Sequence, residues 1–243
     1  RGDTAPVHHA LTRPPELEGE ATNRAIQLAR IAGCPLYVVH VTCREAVDPI
    51  RRARALGWDV WGESCTQYFF RSIDDLAQPG FEGAKYVYSP PARDASNHDV
   101  LWDAVRTDAL SAISTDHCAF LWAGQKTLGS DDFTKIPNGA PTVEDRIAIL
   151  YEVGVNQGVL GLNNFVALGS TNPAKLFGLF PKKGTIAVGS DADILIWDPN
   201  KTRTIAAKAH HMAADNNVFE GMTIKGRPRY VFSRGKMVAD HDK

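Results

Sequence analysis

Apolar and polar residues alternate along the first half of the chain with two different periods, which predicts strands and helices in turn. Two short runs, Leu36–Cys43 and Ser111–Cys118, have apolar residues near their start and predict buried strands, and Asp59–Ser64 is predicted to form a third, shorter strand. The segments before Gly33 and before Gly57 repeat apolar residues every three or four positions, which predicts helices that stop at these glycines. Because short helical crossovers join strands in parallel, we expect a parallel α/β sheet, either a barrel or a doubly wound fold.

Capping signals refine the predicted helix boundaries. Thr42 and Glu45 have the spacing of a capping box, and Ser96 followed by Asp99 repeats this spacing at the next helix. Pro49 fits badly inside the helix that follows Thr42, and it predicts either a kink or a restart at that point.

The pattern changes near Lys182. Before it, three further helices are predicted at residues 143–153, 162–168 and 170–177. After it, Gly184–Trp197 predicts strand, turn and strand, and Met222–Val238 predicts two or three more short strands. We therefore expect an α/β part at residues 1–181 and a small antiparallel β module at residues 182–243.

Polar side chains stand at the ends of two predicted strands. His40 lies near the end of one apolar run, and Asp116 ends another. In parallel α/β folds reactive groups gather where strands end, and imidazole and carboxylate are ligand types of hydrolytic metal sites. The alternative for Asp116 is a cap on the following segment. Cys118 is a candidate nucleophile or ligand, although nearby apolar residues favour a packed thiol.

Composition narrows the partners. The 243 residues carry a formal net charge of −1, which gives no electrostatic reason to expect nucleic acid or an anionic membrane surface. No run of eighteen apolar residues and no signal-peptide pattern occurs, so a cytoplasmic location is expected. The four cysteines form no C-x-x-C pair and are interpreted as free thiols.

Two loops stand out from the predicted elements. Tandem prolines after Ser89 cannot continue a central strand, so Ser89–Pro91 is expected to form a rigid loop beside the sheet. About twenty residues after Asp116 show no period, and loops of that length in compact domains are often functional. The first residue is Arg1 rather than Met, and we expect the chain to be cut from a longer protein.

Seven segments are distinctive when they are taken together. They are His9–Thr22, Val38–Val41, Tyr86–Pro91, Thr115–Cys118, Asp132–Gly139, Ser170–Lys175 and Gly189–Asp193. With these segments the chain resembles the dihydropyrimidinase and D-hydantoinase family of the amidohydrolase superfamily over nearly its whole length. Gly-Ser-Asp-Ala-Asp alone marks the wider superfamily, whereas the Pro-Pro-Glu-Leu-Glu-Gly-Glu-Ala stretch and the Ile-Pro-Asn-Gly loop are specific to this family.

The resemblance implies the C-terminal part of a (β/α)8 TIM barrel with an attached β-sandwich module. It also implies two zinc ions, bridged by a carboxylated lysine and held further by an His-x-His pair, two histidines and an aspartate. His40 matches the last of these histidines and Asp116 matches the aspartate. The remaining ligands, the lysine included, are absent from this sequence, so the chain is expected to be a fragment that is inactive by itself.

The resemblance further implies the roles of three residues. The backbone of Ser89 and of Asn138 grips the cyclic amide ring, and Asp116 acts as the catalytic base. The ring amide of a dihydropyrimidine or a 5-substituted hydantoin opens to an N-carbamoyl amino acid. His117 is expected to support the site rather than to bind metal, because adjacent strand residues face opposite ways. A homotetramer is expected for the intact protein.

Three other interpretations remain open. A non-catalytic adaptor similar to the collapsin response mediator proteins would share the fold, but it would have no physical need for His40 and Asp116. An allantoinase-like cyclic amidase differs mainly in the loops that recognise the ring. A purely structural fragment is the third alternative, and zinc content would separate it from the enzymes.

Overall fold

The computed structural model describes residues 2–241, and the chain forms two compact units. The first unit comprises the residues up to 146 together with residues 206–220. The second comprises residues 147–205 and the residues from 221 onward. Helices and strands occur in both, so the architecture is mixed α/β, as predicted.

A three-stranded parallel sheet lies at the centre of the first unit. Its strands are β1 (Leu36–Val38), β2 (Val60–Cys65) and β3 (Ala112–Ser114), and β2 is the middle strand. Leu36 pairs with Val60, and Glu63 pairs with Ala112. The parallel order agrees with the predicted crossovers, and it brings the C-terminal ends of all three strands to one edge.

Five helices surround or precede these strands in the chain. They are α1 (His8–Leu11), α2 (Pro15–Ala32), α3 (Arg44–Ala55), α4 (Ile73–Leu76) and α5 (Asn97–Arg106). Helix α2 ends at Gly33, whose φ of 64° is the left-handed cap that the sequence predicted. Helix α3 packs against α2, α5 and β2. Ile26 of α2, Ile50 of α3, Leu101 of α5 and Ile113 of β3 are fully buried.

Both predicted capping boxes are wrong. The N-cap of α3 is Cys43 rather than Thr42, and the Thr42 hydroxyl donates to Glu18 instead. Helix α5 begins after Ser96, whose side chain makes no capping bond. Helix α3 also runs through Pro49 without restarting. A long-range acceptor such as Glu18 can outcompete a local cap, and sequence spacing does not reveal it.

Helical segments of the second unit follow one another closely. Helix α6 (Arg146–Ile149), which begins at the last residue of the first unit, continues as a π-helix over Leu150–Asn156. Helix α7 (Leu162–Val166), a π-helical turn and α8 (Asn172–Leu176) then form one run, where the sequence predicted two separate helices. Pro173 lies in the first turn of α8, directly after the π-helical turn.

An antiparallel sheet completes the second unit. Strands β4 (Ile194–Thr204), β5 (Thr223–Ser233) and β6 (Lys236–Asp240) pair in chain order. The strand predicted at the start of Gly184–Trp197 does not form, and the exposure of Val188 is 109%. No strand among residues 2–241 pairs with that segment, and an extended segment without a partner gains no ladder hydrogen bonds.

Shorter helical turns connect these elements. They are 3-10 turns at Thr66–Phe69, Glu82–Tyr86, Lys126–Gly129, Phe133–Lys135 and Ala207–Ala209. Within the described part of the chain, no helix has the length and apolar character needed to cross a membrane.

Candidate active site

His40 lies two residues beyond the end of β1, in a left-handed backbone conformation with φ of 44°. The residues that follow are buried and bound to the rest of the unit. The Val41 N–H donates to the Glu63 carbonyl at 2.8 Å, and the Ser64 hydroxyl donates to the Val41 carbonyl at 2.7 Å. The chain is therefore held on the C-terminal side of His40, while His40 itself is only partly buried.

Asp116 occupies the equivalent place two residues beyond β3, and its φ is 46°. Thr142 forms hydrogen bonds to Thr115 and His117, the two residues that flank Asp116. The Thr142 hydroxyl donates to the Thr115 carbonyl at 2.8 Å, and the Thr142 N–H donates to Nδ1 of His117 at 3.1 Å. These contacts hold the Thr115 backbone and the His117 side chain on either side of Asp116, which is exposed.

The left-handed conformation at both positions is informative. It costs an L-residue about 1–2 kcal/mol, and such strained residues cluster at functional sites, although Asp108 and Arg234 also have positive φ. His40 and Asp116 follow the two outer strands of the sheet, so their backbones lie about two strand spacings, or roughly 10 Å, apart. An imidazole and a carboxylate at that separation suit part of a zinc site in chemical type. No group of three possible ligands occurs among residues 2–241.

Ser89 and Asn138 are brought together, although 48 positions lie between them in the chain. The Ser89 hydroxyl donates to Oδ1 of Asn138 at 2.8 Å, and the Gly139 N–H donates to the Val87 carbonyl at 3.0 Å. The Ser89–Pro90 peptide bond is cis. Within residues 2–241, neither the N–H nor the C=O of Ser89 or Asn138 has a hydrogen-bond partner, which leaves four main-chain groups free for a ligand.

Short contacts join this pair to the Asp116 segment. The Cys118 N–H donates to the Ala140 carbonyl at 3.2 Å, and His117 pairs with Ala140 in a parallel bridge. Gly139 has a φ of 151°, and a Cβ at this position would approach the Cys118 carbonyl oxygen to 2.3 Å. Only glycine allows this approach. The edge formed by residues 39–42, 87–90, 115–118 and 137–140 is called the rim below.

Two buried side chains support the rim, and the sequence assigned neither of them a role. Lys126 is 0% exposed, and its Nζ donates to the carbonyls of Val87 and Pro137, both at 2.8 Å. Burial lowers the pKa of Lys126 to about 7. His9 is 1% exposed, and its Nε2 lies 2.8 Å from the Tyr88 carbonyl. Burial lowers the pKa of His9 to about 4. His9 is therefore neutral at pH 7 and donates from Nε2.

A buried ion pair anchors the same region. The Arg93 guanidinium donates to Glu18 at 2.8 Å and to the Thr42 hydroxyl at 2.9 Å. The Thr42 N–H donates to the other Glu18 oxygen at 2.8 Å. The side chains of Arg93 and Glu18 are 6% and 13% exposed. The network therefore connects α2 with the segment after His40 and with the loop after Ser89. Glu18 lies in the Pro-Pro-Glu-Leu-Glu-Gly-Glu-Ala stretch that is specific to the family in the sequence analysis.

The remaining candidates have clear places. Nδ1 of His117 accepts from the main chain of Thr142, which agrees with the supporting role expected for this histidine. Cys118 is exposed, so the packed thiol favoured by the sequence is wrong. Residues 116–119 are all exposed, so the polar end of this segment faces away from the buried residues of β3. All four cysteines are free, as predicted.

Comparison with known proteins adds an independent line. The model of the family described as "Amidohydrolase family" matches residues 19–238. A D-hydantoinase of Geobacillus stearothermophilus is 56% identical over 237 residues, which cover 98% of this chain and 50% of that protein. A dihydropyrimidinase of Rattus norvegicus is 46% identical over 246 residues, which cover 98% of this chain and 46% of that protein.

Solved structures agree with the sequence matches. The crystal structure of dihydropyrimidinase from Brevibacillus agri superimposes with a TM-score of 0.98 at 55% identity, and it covers 100% of this chain and 52% of that one. The predicted resemblance is thereby confirmed. The chain spans about half the length of the curated relatives it matches.

Proposed function

The chain belongs to the amidohydrolase family, and on that premise we propose that it supplies the C-terminal half of a zinc-dependent cyclic amidohydrolase. The reaction opens the ring amide of a dihydropyrimidine or a 5-substituted hydantoin and yields an N-carbamoyl amino acid. The names of the relatives, D-hydantoinase and dihydropyrimidinase, support this class of substrate.

One observation carries the proposal: the rim presents unbonded main-chain donors and acceptors beside an exposed carboxylate. The N–H and C=O groups of Ser89 and Asn138 have no partner among the described residues, and their side chains are bonded to each other. A flat cyclic amide carries N–H and C=O groups in a fixed pattern, which complements a fixed pattern of backbone groups. Asp116 lies close by because its neighbours pair with the residues that follow Asn138.

Each of these residues has a defined task. The backbone of Ser89 and Asn138 orients the ring so that its scissile carbonyl faces Asp116. The Asp116 carboxylate accepts the proton of the attacking water and returns it to the ring nitrogen as the C–N bond breaks. The products are one carboxylic acid and one urea group on the same molecule, which balances the water consumed, and the acid then releases its proton to solvent.

Zinc is part of the proposal, and members of this family are generally metal-dependent. His40 and Asp116 fit it as two ligands, because they offer nitrogen and oxygen donors from strained positions at the ends of β1 and β3. Bound zinc supplies such a reaction with a water of lowered pKa and with a polarised carbonyl. The His-x-His pair and the carboxylated lysine come from outside this chain.

The fold proposal follows from the same relatives. The parallel sheet is part of a (β/α)8 barrel, with residues 1–181 as its C-terminal portion and residues 182–243 as a β-sandwich segment. Ile31 and Val39 of the first unit are 84% and 45% exposed. Their exposure supports the proposal that further barrel elements cover them in the longer protein. We also propose a cytoplasmic homotetramer for the intact protein. Light scattering that gave only a monomer mass would remove that part.

The test compares the 243-residue chain with the longer protein that we propose. Zinc per chain is measured for both, and hydrolysis of dihydrouracil and hydantoin is followed. We expect zinc and turnover in the longer protein and neither in the short chain. Full zinc loading and equal turnover by the short chain would contradict the assignment of ligands. A longer protein without zinc or turnover would favour the adaptor.

A further inference from the structure

Two buried side chains hold two carbonyl groups that directly precede Ser89 and Asn138. Nε2 of His9 donates to the Tyr88 carbonyl, and Nζ of Lys126 donates to the Pro137 carbonyl. Lys126 also reaches the Val87 carbonyl at 2.8 Å. These contacts are not part of the chemistry described above, and neither side chain is accessible to a substrate.

The planarity of the peptide bond gives these contacts a consequence. The Tyr88 carbonyl and the Ser89 N–H belong to one peptide unit, and the Pro137 carbonyl and the Asn138 N–H belong to another. Both units are trans, so the N–H points away from the carbonyl of the same unit. A donor that fixes the carbonyl therefore fixes the direction of the N–H. A hydrogen bond at the carbonyl also polarises the unit and strengthens the N–H as a donor.

Because Lys126 and His9 are buried, their N–H donors bond to the nearby main-chain carbonyls. Among residues 2–241 no carboxylate forms a salt bridge with Lys126, so its donors go to carbonyl oxygens. The ring of Phe120 lies 5.8 Å from its Nζ, and the thiol of Cys118 raises the pKa of Lys126 against the larger effect of burial. The pKa of His9 is lowered first by burial and further by Arg13, Lys126 and Arg93. Lys126 donates two hydrogen bonds whether charged or neutral.

We propose that His9 and Lys126 are positioning residues that aim the N–H groups of Ser89 and Asn138 at the uncleaved carbonyl of the ring. The inference rests on the proposed function, because it assigns direction to the same backbone groups. It predicts that loss of the hydrogen bond from His9 or from Lys126 weakens the recognition of that carbonyl more than it slows the chemical step.

Kinetics of the longer protein tests this with hydantoin and 2-thiohydantoin, in which sulfur replaces the oxygen of the uncleaved carbonyl. Sulfur is a weak acceptor, so the wild type prefers hydantoin. In Lys126→Met and His9→Leu we expect KM for hydantoin to rise about 10-fold, kcat to change less, and the preference to fall about 5-fold. His9→Gln keeps an N–H donor and should recover most of the preference. Lys135→Met removes an exposed lysine and should match the wild type.

The two hypotheses fail in different ways. A wild type that hydrolyses neither substrate would overturn the proposed function. A wild type that is active, together with variants that lose kcat but keep the full preference for hydantoin, would overturn the positioning role and leave only a structural one.

A second measurement needs no activity and uses the 243-residue chain. The 15N shift of Asn138 reports the hydrogen bond at the Pro137 carbonyl, because both belong to one peptide unit. Since the pKa of Lys126 is about 7, we expect this shift to step near pH 7 in the wild type. The step should be absent in Lys126→Met, and the difference between the two proteins isolates the effect of Lys126. An Asn138 shift that is flat through that range would contradict the contact.

Discussion

The rim of the first unit and the apolar surface of the second unit differ in how completely their side chains are bonded or covered within the chain. At the rim, the buried side chains of Arg93, Lys126 and His9 are bonded within the chain: Arg93 pairs with Glu18, and Lys126 and His9 bond to carbonyls. The buried Tyr88 hydroxyl is the exception, since it has no partner among residues 2–241. In the second unit a cavity of about 730 Å³ is open, and Ile186 and Val188 are 83% and 109% exposed. Most buried polar side chains at the rim are thus bonded within the chain, whereas the second unit exposes apolar side chains that the proposed sandwich strands would cover.

The cavity of the second unit is lined mainly by apolar side chains. Its lining includes Tyr151, Leu162, Phe165, Ile186, Leu195 and Trp197, and all of these belong to the second unit. Tyr151 and Trp197 pack with ring centroids 4.9 Å apart, so part of the apolar material is already in contact. Exposure of an apolar surface to water costs about 25 cal/mol of free energy per Å². Further strands of the proposed sandwich would remove it from water.

The largest expected effect concerns the carboxylate of the rim. In the longer protein, Asp116→Asn should lower kcat/KM about 10⁴-fold, because the side chain can no longer accept a proton. Asp108→Asn is a matched control, since Asp108 also has a left-handed backbone, with φ of 57°, but precedes β3 instead of following it. We expect Asp108→Asn to stay within about 3-fold of wild type. Turnover that survives in Asp116→Asn would remove Asp116 from the mechanism.

The next effect concerns the buried ion pair. Arg93→Met leaves the Glu18 carboxylate buried without its partner, and the free energy of unfolding should fall by about 4 kcal/mol. Arg24→Met breaks the exposed pair with Glu20, whose side chains are 66% and 62% exposed, and should cost less than about 0.5 kcal/mol. Urea unfolding of the chain measures both. Equal losses would mean that the rim does not depend on its buried polar network.

Sequence reasoning recovered the parts of the molecule that depend on period and on strand ends. The strands before His40 and Asp116 form, Gly33 ends its helix, and the three strands are parallel. Periodicity works at these places because burial on one side of a strand or helix constrains the residue type. Ser89 and Asn138 entered only through the family resemblance, and the structure adds that they are bonded to each other.

The supporting residues were beyond reach of the sequence for a physical reason. Arg93 and Glu18 are 75 positions apart, and the spacing of charges along a chain does not encode such a pairing. Lys126 lies in a loop without period, where a lysine is normally expected at the surface. The prediction of a strand near Val188 was wrong for a different reason. The sequence there has the pattern of a strand, but no strand among residues 2–241 pairs with it.

The pH dependence of stability tests whether His9 is buried and neutral at the rim. The pKa of His9 is about 4 in the folded chain, below its ordinary value of 6.5, so the unfolded chain binds a proton at higher pH than the folded one. Stability should therefore fall as pH drops from about 6.5 towards 4, by up to about 3 kcal/mol. His9→Gln should lack this part of the slope. Urea unfolding at several pH values measures the difference, and identical slopes would contradict a buried neutral His9.

The smallest effect tests the second unit, where exposure should make a substitution harmless. In the 243-residue chain Val188→Lys should change the free energy of unfolding by less than about 0.5 kcal/mol, because Val188 already faces water. In the longer protein the same lysine would be buried beneath the proposed cover without a partner, and we expect a loss of about 2 kcal/mol. Urea unfolding of both proteins measures the two values. If Val188→Lys is equally tolerated in both, residues 184–188 remain uncovered in the longer protein, and the second unit needs no cover at this segment.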